Sequence, residues 1–211
     1  SIGMAPFLIN VTASAVNAII NTSLQKYGGD TAVGAFGIFN TYATLIVMLI
    51  IGLCQGMQPV VGYNYGSGHY ERMKKAFKIT CFAATICTTI GFLSSTFLPD
   101  YIVRAFTTDP ELIAVSANGL RISLAAFPIV GLQIVSTNFF QSLGMAPKAI
   151  FLSLSRQVLF LIPLLFIFPH WWGLEGIWYA MPAADIIATL ITLALIYWQM
   201  RRFDKKVPEQ I

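Results

Sequence analysis

The chain has 211 residues, of which 56% are hydrophobic and only 10% charged, with a mean hydropathy of +0.71. Ordinary soluble domains carry about 25% charged residues, so this composition excludes a soluble globular domain. The formal charge of +4 is clustered between apolar runs rather than interleaved with aromatics, which excludes a nucleic-acid-binding surface.

Six apolar runs, about 4–24, 32–63, 76–98, 122–143, 149–169 and 174–200, are each long enough to cross a bilayer as a helix. The first carries Asn10, Ser14, Asn17 and Asn21 at i, i+4, i+7, i+11 spacing, which places them on one helical face. The second is about ten residues too long for a simple span, and a tilted or broken helix with Pro59 near its cytoplasmic end is expected. It ends in Gly52-Leu-Cys-Gln-Gly-Met-Gln-Pro-Val-Val-Gly-Tyr-Asn-Tyr-Gly-Ser-Gly68, where Gln55 and Gln58 sit among glycines in apolar surroundings. Buried amides cost free energy unless they are hydrogen-bonded, so this segment should face a cavity or other helices. A basic loop, His69 to Lys78, follows.

Beyond the third run, an outside loop of about 99–121 is expected to hold a short helix capped by Thr108 or Asp109, with Pro110 at its first position. The fourth run carries Gln133, Thr137 and Gln141, with Ser136 and Asn138 beside them. Arg156 lies inside the fifth and Asp185 inside the sixth. His170-Trp171-Trp172 and Trp198 fit aromatic belts at the two membrane surfaces. Residues 1–200 thus form a six-span lobe and 201–211 a basic tail.

Placing the 69–78 loop inside puts Arg72, Lys74, Lys75, Lys78, Lys148, Arg201, Arg202, Lys205 and Lys206 on the cytoplasmic side and only Lys26, Arg104 and Arg121 outside. Nine basic residues against three orient the chain with both termini in the cytoplasm, in a cell inner or plasma membrane. The three cysteines, Cys54, Cys81 and Cys87, all fall inside spans with no metal-site spacing, which suits packing rather than disulfides or metal. The opening Ser1-Ile-Gly enters an apolar helix almost at once, as expected of a piece of a longer protein.

Polar stripes on three separate helices favour a cavity, with Asn10, Ser14, Asn17, Gln55, Gln58, Gln133, Thr137 and Gln141 as its candidate lining. The alternative for any one of them is interhelical hydrogen bonding, about 0.6 kcal/mol per group. Asp185 lies about eleven residues into its helix, ~16 Å deep at 1.5 Å per residue. A lone charge there costs ~2.5–3.5 kcal/mol, so Arg156 is its expected partner, as a fixed ion pair or as an ion-coupling site.

Gln55-Gly-Met-Gln-Pro-Val-Val-Gly-Tyr-Asn-Tyr-Gly66 resembles a signature of the multidrug and toxic compound extrusion (MATE) family, in its MepA-like bacterial branch. Phe139-Phe-Gln-Ser-Leu-Gly-Met-Ala-Pro-Lys-Ala149, followed by Arg156, and Gly173-Leu-Glu-Gly-Ile-Trp-Tyr-Ala-Met-Pro-Ala-Ala-Asp185 are similar to later parts of it, in the same order. The resemblance implies an all-α membrane protein in which these six spans are helices 7–12, one lobe of a twelve-helix antiporter. It also implies partnership with a first lobe and with the bilayer, and exchange of H⁺ or Na⁺ for amphipathic, often cationic compounds, with no other cofactor. Branches with a coupling carboxylate in the seventh helix would show an acid near Ser14, and none stands there. A lipid-linked oligosaccharide flippase of the same superfamily would line its cavity with several basic residues, whereas only Arg156 lies well inside a span. An intramembrane enzyme would need a nucleophile with histidine, paired aspartates or a metal set, and the spans hold one aspartate and no histidine.

Overall fold

The computed structural model describes the backbone of residues 4–204 and the side chains of residues 11–204. Its regular structure is entirely helical, as expected where apolar side chains face lipid and every backbone group must bond within its own segment. Helical backbone over Met4–Gly66 is divided at Gly29 (φ 64°, ψ −160°) into α1 (4–28) and α2 (30–66). That backbone conformation is open essentially to glycine alone, so Gly29 turns the chain back with no loop. The Gln25 amide closes the corner by donating to Asp30 Oδ1 at 2.8 Å. The remaining elements are α3 (Tyr70–Phe97), α4 (Pro99–Arg104), α5 (Pro110–Ser123) and α6 (Phe127–Ser142). A second glycine reversal, Gly173 (φ 55°, ψ −131°), separates α7 (146–172) from α8 (174–204).

Six helical spans result, counting α5 and α6 as one, and four features differ from the sequence reading. The expected fourth span, 122–143, is not one helix: α5 and α6 are bent 60° apart across residues 124–126. The physical reason is Pro128, which has no N–H for the Leu124 carbonyl and crowds it, so the helix cannot continue through this point. The expected loop of 99–121 is itself mostly helix, since α4 and most of α5 fall within it. Asp109 caps α5, its carboxylate accepting from Glu111 N at 3.0 Å with Pro110 in the first turn. The second run is not broken at Pro59: α2 continues as helix past that proline to Gly66. The basic stretch expected as a loop is helical from Tyr70 onward.

Three apolar clusters hold the bundle. One joins α2, α3, α6 and α8 around Phe77 and Phe139, whose ring centroids lie 4.5 Å apart. A second packs α1, α2 and α8 around Trp178, which is fully buried. The third gathers α2, α5 and α6 around Leu120 and Phe127. Small residues let the helices approach closely. A Cβ on Gly131 would stand 3.0 Å from the Ala84 carbonyl oxygen, and one on Gly176 would stand 2.4 Å from the Phe168 carbonyl carbon and oxygen. Polar cross-links join the same elements: Tyr42 Oη donates to Gly91 O at 3.0 Å, and Thr88 Oγ1 donates to Pro128 O at 3.2 Å. Large exposed apolar side chains such as Phe82, Phe97, Leu190 and Phe166 cover the outside, as suits a surface in contact with hydrocarbon.

Candidate functional site

A cavity of about 330 Å³ lies where α1, α2, the α5–α6 bend, α7 and α8 meet. Its walls are mainly apolar, including Phe36, Phe39, Phe127, Leu161 and Met181, with polar groups from every side: Asn17, Asn40, Thr44, Ser123, Arg156, Gln157 and Asp185. A smaller cavity of about 130 Å³ adjoins it and shares Ile134, Arg156 and Gln157; Gln133, Thr137, Asn138, Ser153 and Thr192 complete its polar lining. Arg156 and Gln157 therefore stand on the partition between the two.

Local backbone geometry explains their position. Residues Ser155–Leu161 form a π-helical segment inside α7, bounded by α-helix at both ends. Such single-turn insertions shift the following side chains around the axis and are frequent at functional sites. Arg156 Nε donates to Asp185 Oδ1 at 2.6 Å. Antiparallel α7 and α8 thus bring the two charges into direct contact. The pair is asymmetric, since the arginine side chain is 38% exposed and the aspartate side chain 8%. Asp185 is held from α6 as well: Gln133 Nε2 donates to its backbone oxygen at 2.6 Å and to Thr189 Oγ1, and Thr189 Oγ1 donates to the same carbonyl at 2.7 Å. One polar cluster consequently ties α6, α7 and α8 together at the cavity wall. Two buried oxygens in that wall, Gln157 Oε1 and Ser123 Oγ, have no hydrogen-bond partner among the described residues. Both are open to a cavity water or a bound polar group.

The candidate residues separate by location. Asn17, Arg156 and Asp185 line the larger cavity, and Gln133 and Thr137 the smaller one. Ser14 lies on the exposed face of α1 and lines neither cavity. Gln58 instead reaches from α2 to α6, donating to Asn138 Oδ1 at 3.1 Å, a helix-to-helix link. Gln55 and Gln141 are exposed and line neither cavity. Asn10 lies outside the residues with described side chains. Sequence reasoning passed over Asn40, Thr44, Ser123 and Gln157. For the first two a signal existed, an i, i+4 polar pair inside an apolar run.

Comparison with known proteins fits this architecture. Residues 6–167 match the MatE family model. The multidrug export protein MepA of Staphylococcus aureus (strain bovine RF122 / ET3-1) is 24% identical over 210 residues, which is 100% of this chain and 46% of that protein. The solved structure of the MATE multidrug transporter DinF-BH is 37% identical, with a TM-score of 0.81 over 93% of this chain and 44% of that one. An outward-facing multidrug resistance MATE family transporter of the MOP superfamily is 18% identical with a TM-score of 0.89, a likeness of fold, over 96% of this chain and 46% of that one. The chain thus spans about half the length of the curated relatives it matches. By that family match and by its six-helix architecture, the chain belongs to the MatE family and forms one lobe of a MATE transporter.

Proposed function

We propose that this lobe works as the second half of a multidrug antiporter, with a complementary six-helix lobe closing the transport pathway against it. The supporting observation is the cavity of about 330 Å³, whose apolar and aromatic walls carry scattered amides and hydroxyls. Such a lining accepts amphipathic molecules of varied shape, holding an apolar body by contact and a polar group by a few adaptable hydrogen bonds. Its charges, Arg156 and Asp185, cancel in the ion pair, so the cavity offers a cation no repulsion. Amphipathic, often cationic compounds leave the cell in exchange for H⁺ or Na⁺. Alternating access then consists of one lobe rocking against the other around a shared midplane site. Both termini lie on the cytoplasmic side of the cell membrane.

In this reading Asp185 does not carry the coupling ion. It is occupied by Arg156 and by contacts from a third helix, which suits a fixed cross-link, and the coupling acid belongs to the complementary lobe. The test is efflux of a fluorescent cationic dye from proteoliposomes under imposed proton or sodium gradients. The two-lobed transporter exports dye with one of the gradients, whereas this lobe alone does not. Dye movement that ignores both gradients would overturn the antiport reading.

A further inference from the structure

Where α7 begins and α8 ends, the lobe carries an arrangement of charge that the cavity does not use. Lys148 reaches from the start of α7 to α8, where its ammonium donates to Gln199 Oε1 and lies 5.3 Å from the Trp198 ring centroid. Arg202 lays its guanidinium over the same indole at 3.6 Å, and Arg201 sits over Tyr197 at 4.7 Å. Two cations thus share one tryptophan. An aromatic face attracts cations but brings no negative charge, so the repulsion between them stands uncompensated. The adjacent carboxylate, Asp204, is engaged elsewhere, by Lys74, which also takes Glu71 at 2.8 Å. Among the described residues no carboxylate pairs with Lys148, Arg201 or Arg202.

The surroundings indicate which anion. Leu190, Leu193 and Tyr197 follow i, i+3, i+7 spacing on α8 and are 63%, 46% and 59% exposed, forming an apolar stripe that leads from the cations into the membrane. A free phosphate would use only the cations, whereas a phospholipid would use both the cations and the stripe. We propose that Lys148, Arg201 and Arg202, gathered around Trp198 and Tyr197, bind the phosphate of an anionic phospholipid whose acyl chains lie along Leu190 and Leu193. Basic pockets at the cytoplasmic ends of membrane helices are suited to such headgroups, and the bound lipid would bridge α7 to α8. Only the identity of the leaflet, the inner one, rests on the orientation proposed above.

The experiment titrates the full-length transporter in neutral detergent with phosphatidylglycerol, phosphatidylcholine or inorganic phosphate, reading retained lipid by native mass spectrometry and thermal stability in parallel. Neither readout depends on orientation or on dye transport, so failure here is separable from failure of the export reading. Phosphatidylglycerol should be retained and stabilising, and the other two should not. At roughly fivefold per cation removed, Lys148→Gln with Arg202→Gln weakens retention about 25-fold. Arg202→Gln alone, at an exposed position, weakens it about fivefold. The control pair Lys75→Gln with Lys78→Gln removes equal charge from α3, away from the aromatic pair, and leaves retention nearly unchanged. Equal loss in both pairs would reduce the effect to bulk surface charge and overturn the site. Equal stabilisation by inorganic phosphate, or no preference for phosphatidylglycerol over phosphatidylcholine, would overturn the lipid assignment.

Discussion

Breaking the Arg156–Asp185 pair from its two ends should have unequal consequences. In Arg156→Gln the carboxylate, 8% exposed, stays buried without its cation. Removing one partner of a buried pair costs ~3–5 kcal/mol when the remaining charge is left uncompensated. In Asp185→Asn the remaining charge is the guanidinium, which is 38% exposed beside two cavities and can turn to water there. The loss is then nearer that of one charge-assisted hydrogen bond, ~1.5–3 kcal/mol. The Gln133 and Thr189 contacts to the Asp185 carbonyl survive either change. Arg156→Gln should therefore be the more damaging substitution. The double variant should be more stable than Arg156→Gln alone, with a coupling energy of ~1–3 kcal/mol. Thermal unfolding of the four proteins in one detergent, with dye export measured across pH and Na⁺, tests the reasoning. If Asp185→Asn keeps wild-type stability but abolishes the pH or Na⁺ dependence of export, the cross-link account fails and Asp185 becomes the coupling residue.

Other predictions address topology, the cavity and the packing. Single cysteines at Ser67 and Thr108 in a cysteine-free background should be labelled from opposite faces of the membrane; labelling from one side would rule out the proposed orientation. Asn17→Ala and Asn40→Ala, at exposed cavity positions, should change which compounds are exported while leaving thermal stability nearly unchanged. Lower stability with an unaltered export profile would assign them to helix packing instead. Gly176→Ala would drive a Cβ to 2.4 Å from the Phe168 backbone, which cannot give way like a flexible side chain. A destabilisation of at least ~1–3 kcal/mol is expected, while Gly37→Ala, with open space around its Cβ, should be neutral or slightly stabilising.

The membrane helices were legible because hydrocarbon imposes long apolar runs, and the Arg156–Asp185 pair because a charge at membrane depth needs a partner. Less legible were the places where the backbone departs from ideal helix. The residues at the α5–α6 bend itself, Leu124 to Phe127, are apolar like the run that follows, and only Pro128 marked the break. The π-helical turn at Ser155–Leu161, which puts both Arg156 and Gln157 at the cavity partition, has no marker in residue type. The reversals at Gly29 and Gly173 fall between the expected runs, but that a single glycine makes each turn without a loop was hidden, because glycine in a membrane helix is also a packing residue. The amides show the limit of stripe arguments. Spacing identifies a shared face but not what covers it, and Gln58 faces Asn138 of a neighbouring helix while Asn17 faces the cavity.

The central claim is that this lobe exports drugs only together with a second one, using an ion gradient. Its most direct test is gradient-driven efflux of a cationic dye from proteoliposomes holding either the lobe alone, the complementary lobe alone, or both joined. The account predicts efflux from the joined protein only, abolished when the H⁺ and Na⁺ gradients are collapsed. Efflux by the isolated 211-residue chain, or none from the joined protein under any gradient, would contradict it.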